Sequence, residues 1–241
     1  MEGPSLYLVA QALQIFAGQK IQKASGNAKF EKDILIKQTI KDIYTFGKRL
    51  IIQLDTHALI THFLMYGSYR IDETRENMSP RLMLATKEHT LYLYSCSVRC
   101  IVAKDLKLKI PFEFDIISPQ WNIKKVVAKV KRYPTRTIDD ILLDQEIFAG
   151  VGNIIKNEAL FMSRILPSRK VSSLSAKKLT ELATNTREFS LNFITWRKDY
   201  QLKKHLLIYR KKNCPECGTT VTRKKTGTHT RWSFYCSKCQ K

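Results

Sequence analysis

The hydrophobic pattern changes its period along the chain. Gly3-Pro4-Ser5 opens a segment in which Leu6, Val9, Leu13 and Phe16 recur at helical spacing, and Gly18 ends it. From residue 21 to about residue 93 the pattern becomes β-type. Apolar runs at 34–40, 50–54, 58–65, 82–85 and 91–94 are divided by turn-rich or charged stretches. Connections this short leave no room for helical crossovers, so the strands are expected to pair antiparallel. The first domain is therefore expected to be a helix set against an antiparallel β-sandwich or barrel.

Residues 109–125 carry Pro111 and Pro119 and little periodicity, which suits a linker. Beyond them the pattern turns helical. Thr137-Ile138-Asp139-Asp140 has capping-box spacing, with Asp in place of Glu at its last position. A helix is expected through Leu143 and Gln145, broken by Gly150-Val151-Gly152-Asn153. A second should run over 154–163, and two more over 175–185 and 186–197. The expected organisation is a β-sandwich domain at 1–108, the linker at 109–125, an all-α domain at 126–210 and a small metal-bound module at 211–241. The fold class is α+β.

A length of 241 residues and an apolar content of 44% allow one large core or two modest ones. No apolar run reaches the roughly 18–20 residues of a membrane span. Met1-Glu2-Gly3-Pro4 has no basic n-region, so no secretory leader is expected and the chain is placed in the cytoplasm, at the nucleoid if the cell is bacterial. Lys and Arg outnumber Asp and Glu by 42 to 21, a net charge of +21. From Arg197 to Lys241 the 13 basic residues face only Asp199 and Glu216. Such a concentration favours a phosphate-bearing partner over a membrane surface, because it surrounds a cysteine module and not an amphipathic helix.

Cys214-x-x-Cys217 and Cys236-x-x-Cys239 stand 18 residues apart. Two such knuckles offer four thiolates to one zinc ion, and four thiolates leave no open position, so the metal is expected to be structural. Disulfides are the competing account and fit a cytosolic chain poorly. Gly218 and Gly227 fall where a zinc-bound hairpin turns. Between the knuckles lie Arg223, Lys224, Lys225, His229 and Arg231, backed by Trp232, Phe234 and Tyr235, a set suited to a nucleic-acid groove. Cys96 and Cys100 belong to neither knuckle and are expected to be ordinary thiols.

Three segments together resemble the formamidopyrimidine-DNA glycosylase/endonuclease VIII family. The end, Arg231-Trp232-Ser233-Phe234-Tyr235-Cys236-Ser237-Lys238-Cys239-Gln240, resembles its zinc finger. Leu143-Asp144-Gln145 through Ala149-Gly150-Val151-Gly152-Asn153 to Asn157-Glu158-Ala159-Leu160 resembles its helix–two-turn–helix signature. Glu2-Gly3-Pro4 resembles its N-terminal catalytic motif in the endonuclease VIII form. The resemblance implies a bifunctional glycosylase with lyase activity, acting on oxidised bases (pyrimidines favoured) in damaged DNA, as a monomer with one structural zinc ion. It implies that Asn153 and Arg231 contact phosphates, that Lys48 stands near the lesion, and that Leu64-Met65-Tyr66 fills the gap left by an extruded nucleotide. The Gly-rich turn before Asn153 would also offer helix N–H groups to a phosphate.

The chain departs from the family at its first residue. The family's nucleophile is the amine of an N-terminal proline. Here Met1 holds that place, directly before Glu2, and Ser5 stands where a second glutamate is frequent. A Met1 α-amine can form a Schiff base as well, with Glu2 as proton donor and acceptor. The second reading is a homologue that binds damaged DNA and cleaves it weakly or not at all. A third, more distant, is an RNA- or ribosome-associated zinc-ribbon protein. Asp139, Asp140 and Asp144, near a helix start, are expected to be structural.

Overall fold

A computed structural model describes residues 1–106 and 110–241, so Lys109, the first residue of the expected linker, lies outside the described residues. Two compact units emerge. One comprises Met1 and Ser5–Ile110, the other Glu2–Pro4 and Pro111–Lys241.

In the first unit, helix α1 (Gly3–Ala12) and the 3₁₀ turn after it bury Leu6, Val9, Ala10, Leu13 and Phe16, the apolar stripe expected from spacing. Six strands follow: β1 (Lys23–Ser25), β2 (Asp42–Phe46), β3 (Arg49–Gln53), β4 (His57–Ile71), β5 (Leu82–Ala85) and β6 (Thr90–Val102). They form one antiparallel sheet in the order β1-β5-β6-β4-β3-β2. The β4–β6 register shifts between Phe63 and Ser68, which divides the sheet into two halves. Leu82, Leu84, Leu91 and Leu93 from one half share a single apolar cluster with Ile43, Leu50, Ile52 and Leu59 from the other. The short helix α2 (Ala103–Leu106) closes the described part of β6.

The run at 34–40 is not a strand. Asp33–Leu35 is a 3₁₀ turn, and Lys37 sits at φ 68°, in the left-handed region where a strand cannot continue. Leu35 and Ile40 are fully buried while Ile34 is 42% exposed, so the apolar run reflects burial in a turn and not a strand.

The second unit contains α3 (Ile123–Val130), α4 (Ile138–Leu143), α5 (Asn153–Met162), α6 (Ala176–Lys198) and the hairpin β7 (Thr222–Thr226) with β8 (Arg231–Tyr235). Instead of two helices at 175–185 and 186–197 there is one of 23 residues. Polar residues at 184–188 suggest a break, but Thr186 and Ser190 donate their hydroxyls back to the carbonyls of Leu182 and Thr186, at 2.6 Å and 2.7 Å. Ser175 caps its start, accepting from Lys178 N at 3.2 Å. The helices close over Ile116, Ile141, Phe148, Val151, Ile155, Leu160, Leu182 and Phe189.

Candidate functional site

The turn between α4 and α5 is built by its own polar residues. Asp144 pairs with Arg136 at 2.7 Å, and its carbonyl accepts from Ile147 and Phe148 N. Gln145 donates to Leu143 O and Val151 O and accepts from Gly150 N at 3.1 Å, while Gly150 takes φ 98°.

Glu2 occupies that first turn. Its Oε1 accepts from Ile154 N at 2.7 Å and its Oε2 from Ile155 N at 3.3 Å, while Gly3 N donates to Gly150 O at 2.8 Å. The N–H groups that the sequence reading offered to a phosphate are therefore held by a carboxylate of the same chain. A negative side chain at a helix N-terminus gains from both the free N–H donors and the helix dipole. Gly152 is required here for space. A Cβ at that position would lie 2.4 Å from both Cγ and Cδ of Glu2. Met1 directly precedes this anchored carboxylate and is 39% exposed.

One face of α5 then reaches the hairpin. Asn153 Nδ2 donates to Trp232 O at 3.0 Å, and Asn153 Oδ1 is buried without a hydrogen-bond partner among the described residues. Lys156 is fully buried and donates to Ser233 Oγ at 2.8 Å and Trp232 O at 3.4 Å. Asn157 accepts from Phe234 N at 2.7 Å and donates to Asn153 O and Trp232 O. Burial pulls the Lys156 ammonium down to about 8, against the opposing pull of Asp139, Asp140 and Glu2 and with the help of Arg231. Lys156 was not singled out from the sequence. The available signal was a polar stripe, Asn153, Lys156 and Asn157, at i, i+3 and i+4 on a helix that should bury that face.

Asp139 and Asp140 are structural, as their place at a helix start suggested. Asp140 accepts from Thr228 N at 2.9 Å and 3.0 Å, from Thr228 Oγ1 and from Thr137 Oγ1. Asp139 accepts from Thr226 Oγ1. Burial would raise the Asp140 carboxyl, but the backbone and hydroxyl donors of Thr228 and the Thr137 hydroxyl hold it below the usual range. The tip therefore docks by its turn, and Gly227 (φ 68°) leaves the room, since a Cβ there would meet Asp140 Oδ1 at 2.4 Å.

The four knuckle sulfurs all lie within 4.8 Å of one another. Cys214 and Cys239 Sγ are 3.8 Å apart, and Cys217 and Cys236 Sγ 3.5 Å. A tetrahedral S₄ site with Zn–S bonds of about 2.3 Å has edges of about 3.8 Å, whereas a disulfide needs about 2.05 Å. The donor set and spacing fit one zinc ion. Gln240 ties the knuckle down, accepting from Cys236 N and donating to Ile165 O. The fully buried Glu158 accepts from Leu207, Ile208 and Tyr209 N and so fixes the segment that leads into the first knuckle. On the exposed side, Arg223 lies 4.0 Å over the Trp232 ring and Lys225 5.5 Å from it, beside the exposed Arg231.

The remaining expected residues belong to the first unit. Lys48 sits in the tight turn between β2 and β3, where Gly47 takes φ 56°. Leu64, Met65 and Tyr66 lie at the break in β4–β6 pairing and are 53%, 80% and 80% exposed, so they are not core. Cys96 and Cys100 lie on β6, and burial raises both thiols, Cys96 to about 11, which makes them poor nucleophiles at neutral pH.

This combination defines a class, the helix–two-turn–helix proteins with a four-thiolate finger. Residues 2–99 match the family model described as the formamidopyrimidine-DNA glycosylase N-terminal domain, and residues 114–195 the one described as its H2TH domain. The chain is 36% identical over 236 residues to formamidopyrimidine-DNA glycosylase of Syntrophomonas wolfei, covering 86% of this chain and 84% of that protein. It is 37% identical over 210 residues to Endonuclease 8-like 3 of Xenopus laevis, covering 83% of this chain but only 34% of that protein, so it spans about a third of the vertebrate relative. The crystal structure of the Lactococcus lactis enzyme bound to DNA containing an AP site superposes with a TM-score of 0.88 at 23% identity over the whole of both chains. The chain belongs to the formamidopyrimidine-DNA glycosylase/endonuclease VIII family.

Proposed function

We propose that this protein is a base-excision DNA glycosylase with AP-lyase activity on oxidised bases, pyrimidines favoured. The observation that carries the proposal is the anchored Glu2 carboxylate, one residue from a primary amine. In the proposed reaction the Met1 nitrogen attacks C1′ of the damaged nucleotide, and the C1′–N bond breaks. The base leaves with a proton, and the C1′–O4′ bond of the resulting aminal then breaks, the nitrogen lone pair forming the iminium as O4′ takes a proton. Removal of a C2′ proton then expels the 3′ phosphate, and a second elimination expels the 5′ phosphate. Glu2 is the proton donor and acceptor, and its two backbone donors on α5 fix the orientation of its carboxylate.

The other roles follow from position. Asn153 has two amide N–H donors, so its bond to Trp232 O leaves one for a phosphate. The exposed Arg231 is the finger's phosphate contact, and Lys48 serves near the lesion. Leu64, Met65 and Tyr66, large and exposed at a break in pairing, replace the stacking lost on extrusion. Zinc, held by Cys214, Cys217, Cys236 and Cys239, supplies folding and no chemistry. The protein acts as a monomer.

Duplex DNA with one oxidised pyrimidine tests the reading. The expected result is base release and strand cleavage with phosphate at both new ends, absent on undamaged duplex. Tight binding to abasic duplex without cleavage would instead identify a damaged-DNA binder, the reading favoured by Met1 in the proline position. Equal affinity for RNA and lesion DNA would contradict both.

A further inference from the structure

We infer that Lys156 is a positioning residue for Arg231, a buried cation that couples occupancy of the finger's phosphate-binding face to the docking of the hairpin on α5. The inference rests on the proposed role of Arg231 toward DNA.

Lys156 Nζ holds the carbonyl of Trp232 and the hydroxyl of Ser233, the two residues that follow Arg231 on β8. Asn153 and Asn157, one turn apart on the same face of α5, hold that carbonyl too. Thr226, paired with Arg231 across the hairpin, joins the same set through Ser233 Oγ at 2.6 Å. The backbone that carries Arg231 is thus clamped by α5, and Lys156 brings a positive charge to that clamp. A fully buried ammonium bonded to neutral oxygens is an unusual choice when Met or Gln would fill the space.

The surrounding charges explain what an ammonium adds. Asp139 and Asp140 on α4 and Glu2 at the start of α5 favour its proton, and Arg231 on β8 opposes it. With the face empty, burial, aided by Arg231, holds the Lys156 ammonium down to about 8. A phosphate at Arg231 screens that repulsion, so with phosphate bound Lys156 keeps its proton, and the clamp its charge, to higher pH. By reciprocity, phosphate binding weakens when Lys156 is neutral.

The test is affinity for duplex DNA carrying a tetrahydrofuran abasic analogue, measured from neutral pH to well above 8. Wild-type affinity is expected to fall as pH rises through about 8. Lys156→Met should bind about tenfold more weakly at neutral pH and show no such step. Lys156→Arg, charged throughout, should bind like wild type and lose the step. In an Arg231→Ala background, Lys156→Met should cost less than about twofold, because coupled residues are not additive. A step that persists in Lys156→Arg belongs to another group such as the terminal amine and overturns the inference. So does a Lys156→Met loss of equal size with and without Arg231. Should Lys156→Met fail to fold, judged by zinc content, the Lys156→Arg profile decides alone. Failure of the glycosylase reading shows separately, as wild type that does not prefer abasic DNA; the same variants are then compared on undamaged duplex, whose phosphates carry the same charge.

Discussion

Glu2 and Gly152 form a pair in which the smaller residue defines the larger one's place. Because a Cβ at residue 152 would lie 2.4 Å from Glu2 Cγ and Cδ, Gly152→Ala must push the carboxylate off α5. The expected result is a loss of base release as deep as that of Glu2→Gln, with zinc content and helix signal retained. Full activity in Gly152→Ala would show that Glu2 acts from elsewhere. Glu2→Gln keeps an acceptor for Ile154 N but loses the charge, so binding should survive while single-turnover base release is abolished. Unchanged release would remove Glu2 from the mechanism. Lys156 has a stability signature of its own. Its folded value of about 8 lies below the unfolded 10.5, so the unfolded chain binds more protons in that window. Stability should therefore rise with pH between those values, and the rise should shrink in Lys156→Met when urea midpoints are compared.

At the scale of elements, the finger is a hairpin held at three places: the four thiolates at its base, α5 along β8, and Asp139 and Asp140 at its tip. Zinc removal should melt residues 214–239 while leaving the cluster around Ile141 and Phe189, which draws nothing from the knuckles. Circular dichroism with zinc chelation checks this, and loss of the helical signal would contradict it. Asp140→Ala removes the acceptor of Thr228 N and should cost about 1 kcal/mol, seen as a lower melting temperature. Spacing alone revealed α1, β5 and the cysteine ribbon, since one buried face or one repeated ligand pair suffices to show each. Residues 34–40 misled because a short apolar run also occurs in a turn that buries two side chains and bends at Lys37. Helix α6 read as two because local polarity cannot reveal hydroxyls satisfied by their own helix. Glu2 was legible as chemistry, but its partners stand 152 and 153 residues away, a separation no local pattern spans.

For the whole molecule, a charge of +21 predicts that phosphate contact dominates affinity for DNA. Binding should weaken steeply with salt, and Arg231→Ala should reduce the slope of log K against log salt by about 1 across sequences. An unaltered slope would take Arg231 out of the phosphate-contacting set. Family membership and fold do not decide the chemistry, because the residue in the proline position is Met1. Borohydride trapping on abasic duplex, followed by mass mapping of the adduct, addresses that point directly. A reduced sugar–DNA adduct on the peptide that begins at Met1, on its α-nitrogen, is the predicted result. An adduct on an internal lysine, or none under conditions where the abasic duplex is bound, would contradict it.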